Sequence, residues 1–313
     1  MDFSTLWRSG WAGPPFALLS ASHLIALGVL ALLVASFPLL RGPRRGAARA
    51  AFRYTAAGLL VAVELLLHLW AYSNGEWSVR ALLPLQLCSV AGYLSVAMLL
   101  TRSRRLYDYV YFLALGGGLP ALLTPSPDGY GFPHFRFWEY FISHILIVCA
   151  PLYLALAEGY RPRRGSVARV IVAMNLYLAV VGLVNWLLGS NYLFLAHKPA
   201  GPTLFDLLGP WPWYILSLEA LGVAAVLLLY APFAVRDWLA WRRAPSEPLS
   251  KREVIPARGG LVSVPHRQQD GLPGCAAGLC AAVSRRQPAA RLEDQLQGHQ
   301  LGHQEAEGPQ RLQ

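Results

Sequence analysis

A few side chains hold the chemistry open to this chain, and they stand inside runs that are otherwise apolar. His23, Glu64, His68, Glu139, His144 and Glu219 are ionisable, and Cys88, Asn175 and Asn185 are polar but neutral. Such groups are costly in hydrocarbon, so each is a functional candidate. Glu64 and His68 are four apart and share a helix face, a spacing at which a carboxylate can orient an imidazole. A cysteine becomes a nucleophile when a neighbouring base takes its proton. Cys88 has Pro84 one turn earlier to perturb its helix and a histidine, His144, at matching depth in another span. Cys149 has no such company and reads as packing.

The elements that must position these groups are membrane spans. About 20 mostly apolar residues cross a bilayer, and seven such runs are legible: about 16–40, 52–72, 81–101, 106–123, 136–157, 168–189 and 212–235. The fourth is the weakest. Gly116, Gly117, Gly118 and Pro120 predict either close packing on small residues or a broken helix lining a site. At the helical rise, Cys88 falls about 10 Å below the outer end of its span, and His144, His23 and Glu64 about 12 Å below theirs. On the same rise Glu219 is at about 10 Å, with His68 and Asn185 at roughly 6–8 Å. Because the spans alternate in direction, this convergence on one layer is a tertiary expectation: either a cavity, or polar contacts that hold helices together. Asn175 lies deeper and is the exception.

Orientation follows from arginine. Arg41, Arg44, Arg45, Arg49 and Arg53 separate spans one and two. Arg102, Arg104 and Arg105 follow span three, Arg161, Arg163, Arg164 and Arg169 follow span five, and Arg236, Arg242 and Arg243 follow span seven. The opposite loops carry only Arg8, Arg80, Arg136 and Lys198. The positive-inside rule puts the first set in the cytoplasm. Trp11, Trp77, Trp138, Trp186, Trp211 and Trp213 mark the other interface. The expected fold is therefore all-α, a polytopic seven-transmembrane helix bundle with its N-terminus outside and its C-terminus cytoplasmic, multi-pass in the cell membrane.

Composition agrees. The chain has 313 residues, 55% hydrophobic and 14% charged, too little charge to coat a soluble domain. The net charge of +10 sits at helix ends rather than in a stripe with interleaved aromatics, which argues against a nucleic-acid partner. Glutamine occurs once before residue 244, as Gln86, and nine times after it. That break divides a transmembrane domain, 1–243, from a tail, 244–313, expected to be disordered. Cys88, Cys149, Cys275 and Cys280 form no disulfide framework, and Cys275 and Cys280 with His299 and His303 fit no zinc spacing. The first apolar run is long enough to span and precedes no small-residue cleavage site, so no cleavable signal peptide is expected.

Four segments in order carry a resemblance: LPLQLCS (Leu83–Ser89), LTP followed by FPHFRFWEYFISH (Phe132–His144), NWLLGSNYLFLAHKP (Asn185–Pro199) and GPWPWYILSLE (Gly209–Glu219). Together they resemble the YwaF-like family of bacterial integral membrane proteins, which is similar to the eukaryotic transmembrane protein 164 group. The resemblance covers about residues 15–235. It implies an acyltransferase that remodels ether phospholipids through a membrane-embedded cysteine and histidine, which here are Cys88 and His144. It also leads one to expect histidine at Gln86.

Three functions fit. The first is Cys-dependent acyl transfer between phospholipids, with Cys88 as nucleophile and His144 as general base. A supporting polar layer would comprise Glu64, His68, His23, Asn185, Asn191 and Glu219, with Asn185 or Asn191 donating to the oxyanion. The partners are membrane lipids, and no cofactor is required. The second is a zinc-dependent hydrolase using His23, His68 and His144, with Glu64 as base or second neighbour of the metal. The third is a proton-coupled transporter or a receptor in which Cys88 is incidental.

Overall fold

The structure, a computed structural model, describes residues 3–125, 127, 129–198 and 207–243, together with strand residues 254–257 and 260–263. The chain divides into two units, Met1–Ala244 and Pro245–Gln313. All helices among the described residues fall in the first. In the second, β1 (Val254–Ala257) pairs antiparallel with β2 (Gly260–Ser263). The rest of the tail expected to be disordered lies outside the described residues, as do Cys275, Cys280, His299 and His303.

The first unit is an integral membrane bundle. Among the described residues, six helices are long and apolar enough to cross a membrane: Ala21–Leu40, Pro43–Ser73, Arg104–Leu123, Phe135–Glu158, Ser166–Leu188 and Trp213–Arg243. A shorter apolar helix, Leu87–Thr101, joins them. In chain order the α-helices are α1 (Phe3–Trp7), α2 (Ala21–Ser36), α3 (Gly46–Ser73), α4 (Leu87–Thr101), α5 (Arg104–Leu113), α6 (Leu119–Leu123), α7 (Phe135–Glu158), α8 (Ser166–Leu188) and α9 (Trp213–Arg243). The seven runs read from the sequence correspond to α2, α3, α4, α5–α6, α7, α8 and α9.

Helix α7 is the hub. It packs against α2, α3, α4 and α6, and most of its residues from His144 to Ala157 are buried. Neighbouring α2 and α3 keep one apolar face toward it and another toward lipid, so Leu24, Ile25 and Leu65 are exposed, as are Leu176 and Leu187 on α8. Helix α9 is peripheral, with Tyr214 its one buried residue. It runs past the expected end at 235 to Arg243. Arg242 and Arg243 in its last turn suit the negative helix terminus, and the Arg242 guanidinium lies 3.8 Å from the Trp238 ring centroid.

The third span departs from expectation, and the fourth takes the first of its two expected forms. The third, expected over 81–101, is helical only from Leu87. Its 15 residues reach about 22 Å at the helical rise. Pro84 disfavours helical backbone at Leu83, and tertiary bonds then claim the preceding chain. The Leu83 amide donates to the Tyr192 hydroxyl (2.8 Å), that hydroxyl donates to the Val79 carbonyl (2.8 Å), and the Tyr177 hydroxyl donates to the Leu85 carbonyl (2.8 Å). The fourth span is unbroken. Between α5 and α6 it passes through a π-helical turn, Ala114–Gly118, and its glycines serve close packing. A Cβ on Gly118 would lie 2.9 Å from Val148 Cγ2, and one on Gly117 3.1 Å from Leu87 Cδ2.

Candidate active site

Helix α4 brings Cys88 into its first turn. Gln86 is the N-cap, which makes Cys88 the second helical residue. The amides of Leu87, Cys88 and Ser89 are among those that an α-helix leaves without intrahelical partners, and the positive helix terminus favours negative charge beside them. Helix α7 presents His144 opposite. His144 Nε2 stands 3.2 Å from Cys88 Sγ.

The other ring nitrogen fixes the tautomer. His144 Nδ1 lies 2.7 Å from the Tyr140 carbonyl oxygen, one turn earlier on the same helix. A carbonyl only accepts, so the proton is on Nδ1. In the neutral ring Nε2 then carries the lone pair, and it is Nε2 that faces the thiol. The Tyr140 ring stacks on the imidazole with centroids 4.2 Å apart, and its hydroxyl is anchored on the Ala121 carbonyl at 2.8 Å. The imidazole is therefore held in position from two sides.

Cys88 and His144 line a cavity of about 250 Å³ between α3, α4 and α7. Glu64 and His68 face it from α3, and Arg136 and Glu139 from α7. His68 Nε2 is 3.8 Å from Glu64 Oε1, and His68 Nδ1 accepts from the Trp77 indole at 3.1 Å. The Tyr93 hydroxyl donates to Glu64 at 3.1 Å. Arg136 and Glu139 form an ion pair, with the guanidinium 5.4 Å from the Trp70 ring centroid. Just outside the span, His134 caps α7 by accepting the Arg136 amide (3.1 Å) and donates to the Arg8 carbonyl (3.0 Å). Burial, helped by the nearby Arg136 charge, holds the His134 imidazole below its ordinary range.

The remaining residues expected in the polar layer stand elsewhere. His23 is fully buried. Its Nε2 donates to the Leu122 carbonyl at 2.9 Å and its Nδ1 accepts from the Leu19 amide at 3.1 Å, so it ties α2 to the end of α6 with both nitrogens used. It does not converge with His68 and His144. No group of three or more His, Cys, Asp or Glu among the described residues is placed to hold a metal ion. Asn185 accepts the Ser190 hydroxyl and the Tyr192 amide and donates to the Tyr192 carbonyl, while Asn191 bonds His197. Neither lines the Cys88 cavity. Glu219 accepts from Asn175 at 2.7 Å and lines a separate, largely apolar cavity of about 210 Å³ between α5, α8 and α9.

Other groups enter the site that residue type alone did not single out. Tyr93 and Ser143 are ordinary span residues, Arg136 counted only as a loop charge, and Gln86 stood out as the one glutamine before the tail and as a position where the resemblance leads one to expect histidine. Their shared position comes from helix packing, which no spacing in the sequence encodes.

A sequence profile of the TMEM164 family matches residues 18–230, a range that includes every residue lining the Cys88 cavity. No curated protein and no solved structure matches the chain.

Proposed function

The chain belongs to the TMEM164 family, and from that premise together with the Cys88–His144 pair we propose that it is a membrane-embedded acyltransferase moving fatty-acyl groups between phospholipids through a thioester on Cys88. The observation that carries this reading is the lone-pair nitrogen of His144 set 3.2 Å from the Cys88 sulfur. Nε2 takes the thiol proton as sulfur attacks the ester carbonyl carbon, and returns it to the departing lysolipid oxygen. The second half reverses these steps: an acceptor hydroxyl gives its proton to Nε2 and its oxygen attacks the thioester. The proton count closes within the site. Glu64 and His68 on α3 face the pair across the cavity, Tyr93 on α4 holds Glu64, and together they position the lipid.

The test supplies purified chain with a phospholipid bearing a labelled acyl group and an unlabelled lysolipid acceptor. Labelled acceptor product and a hydroxylamine-sensitive label on Cys88 are expected, and both should vanish in Cys88→Ala. Transfer that persists in Cys88→Ala would overturn the reading and favour a role in which the thiol is incidental.

The proposed orientation places this cavity toward the outer leaflet of the cell membrane. It rests on the arginine asymmetry and on Cys88 lying at the helix ends where the tryptophans cluster. A reporter fused after Arg45, Arg104 or Arg164 is expected to read cytoplasmic and one near Lys198 external. An external reading at Arg104 would reverse the assignment.

A further inference from the structure

Attack on an ester puts negative charge on the carbonyl oxygen, and we infer that the side-chain amide of Gln86, with the first-turn amides of α4, receives it. This rests on the Cys88 acyl-transfer reading and adds a catalytic residue to it. Gln86 lines the Cys88–His144 cavity and is the N-cap of α4. An N-cap side chain ordinarily folds back to accept from the second or third amide of the helix. Gln86 makes no such bond, because its Oε1 accepts the Leu193 amide at 3.3 Å.

Two consequences follow. A backbone N–H can only donate, so the carboxamide has its oxygen toward Leu193 and its NH2 group turned away from it. In addition, the Cys88 and Ser89 amides are left without a side-chain cap, and the first backbone bond of the helix runs from the Val90 amide to the Gln86 carbonyl at 3.1 Å. Backbone donors left unpaired at a helix terminus favour an acceptor or negative charge, and here they flank the sulfur that would attack. An oxyanion formed at the substrate carbonyl satisfies them.

The arrangement also explains Asn185. The Leu193 amide is presented by a 3-10 turn, Tyr192–Phe194, in which Leu193 has φ 56°. Asn185 grips that turn through the Tyr192 amide (2.8 Å) and carbonyl (2.9 Å). Asn185 is thus a positioning residue: it holds the turn that orients Gln86. In the reaction, the Cys88 Sγ–carbon bond forms as the carbonyl π pair moves onto oxygen, where Gln86 Nε2–H donates to it. When the pair returns, the carbon–oxygen bond to the lysolipid breaks, and that oxygen takes the proton from His144.

Two variants separate hydrogen-bond donation from the tie to Leu193. Gln86→Glu keeps an oxygen for the Leu193 amide and loses the NH2 group, whereas Gln86→Met loses both. Each is assayed for the single-turnover rate of thioester formation from phospholipid, and for Cys88 alkylation by a lipid-soluble alkyl iodide, a reaction that forms no oxyanion. Alkylation is read at its high-pH plateau, where the added carboxylate no longer limits the thiolate. Both variants are expected to slow thioester formation by about 10²–10³-fold with the alkylation plateau unchanged. Wild-type thioester rates in Gln86→Glu would overturn the inference, leaving Gln86 only as a tie. A parallel fall in alkylation would also overturn it, by showing that Cys88 itself had moved. Gln86→Glu alone decides if Gln86→Met fails to insert. Absence of any thioester in the wild-type chain would instead sink the underlying acyl-transfer reading.

Discussion

Replacing His144 with alanine is expected to slow acyl transfer by about 10²–10⁴-fold, the usual contribution of a positioned general base, while leaving membrane insertion intact. The same change should slow modification of Cys88 by a lipid-soluble electrophile at neutral pH. Cys149 supplies the internal reference. It sits on the same helix as His144 but is fully buried against the bundle, and neither ring nitrogen of His144 reaches it. In the wild-type chain Cys88 should therefore react much faster than Cys149. That difference alone would not decide the matter, because Cys88 opens on a cavity. The contrast between wild type and His144→Ala does decide it, since the substitution enlarges the cavity and can only ease access. A Cys88 that reacts equally fast without His144 would show that the imidazole does not take its proton. The mild counterpart is Tyr140→Phe, which keeps the carbonyl bond to Nδ1 and the ring stacked on His144 but loses the hydroxyl anchor on Ala121. It is expected to lower transfer far less than His144→Ala.

The second large effect is on stability, at the arginine-bearing end of the bundle. Asp108, on α5, is fully buried. It accepts from the Arg163 amide (3.0 Å), Arg163 Nε (2.7 Å) and Arg169 Nη2 (3.0 Å). This carboxylate joins α5 to the turn between α7 and α8 through Arg163 and to the first turn of α8 through Arg169. Removing one partner of a buried pair costs about 3–5 kcal/mol. Here Arg163 and Arg169 are 42% and 43% exposed and can turn to water, so Asp108→Ala is expected to cost about 2–3 kcal/mol. Thermal unfolding in detergent should fall on the order of 5–10 °C. Asp108→Asn, which keeps an oxygen for the Arg163 amide, should fall less. The loss should extend to transfer activity on warming, because α5 continues into the π-helical turn whose Gly117 packs on Leu87, next to Cys88. An unchanged unfolding temperature in Asp108→Ala would show that this buried pair contributes nothing net.

Asp108 also shows where sequence reading stopped short. It lies within the fourth apolar run, between Tyr107 and Tyr109, and meets the same criterion of cost in hydrocarbon that singled out Glu64 or Glu219. Its local spacing points to Arg104 and Arg105, one turn earlier, whereas its partners in the fold are 55 and 61 residues away.

The sequence by itself determined that this is a helical membrane protein. Hydrocarbon forces every spanning segment to satisfy its own backbone, and apolar runs of spanning length leave little alternative to helices. Cys88, Glu64, His68 and His144 were legible as candidates for the same reason, since polar atoms in such runs carry a cost that their side chains must offset elsewhere. Tertiary structure alone decided which of them meet. Equal depth does not say which helices are neighbours: α3, α4 and α7 are, so Glu64, His68, Cys88 and His144 share a cavity. His23 faces the end of α6, Asn185 closes on its own turn, and Glu219 finds Asn175. The start of α4 was decided in the same way. Hydropathy allows it to begin near residue 81, but Pro84 disfavours helical backbone at Leu83, and hydroxyls of Tyr177 and Tyr192, about 90 to 110 residues away, hold the Leu85 carbonyl and the Leu83 amide in the non-helical approach. That late start puts Cys88 beside the uncapped amides of a helix terminus rather than in mid-helix, where every amide is already bonded.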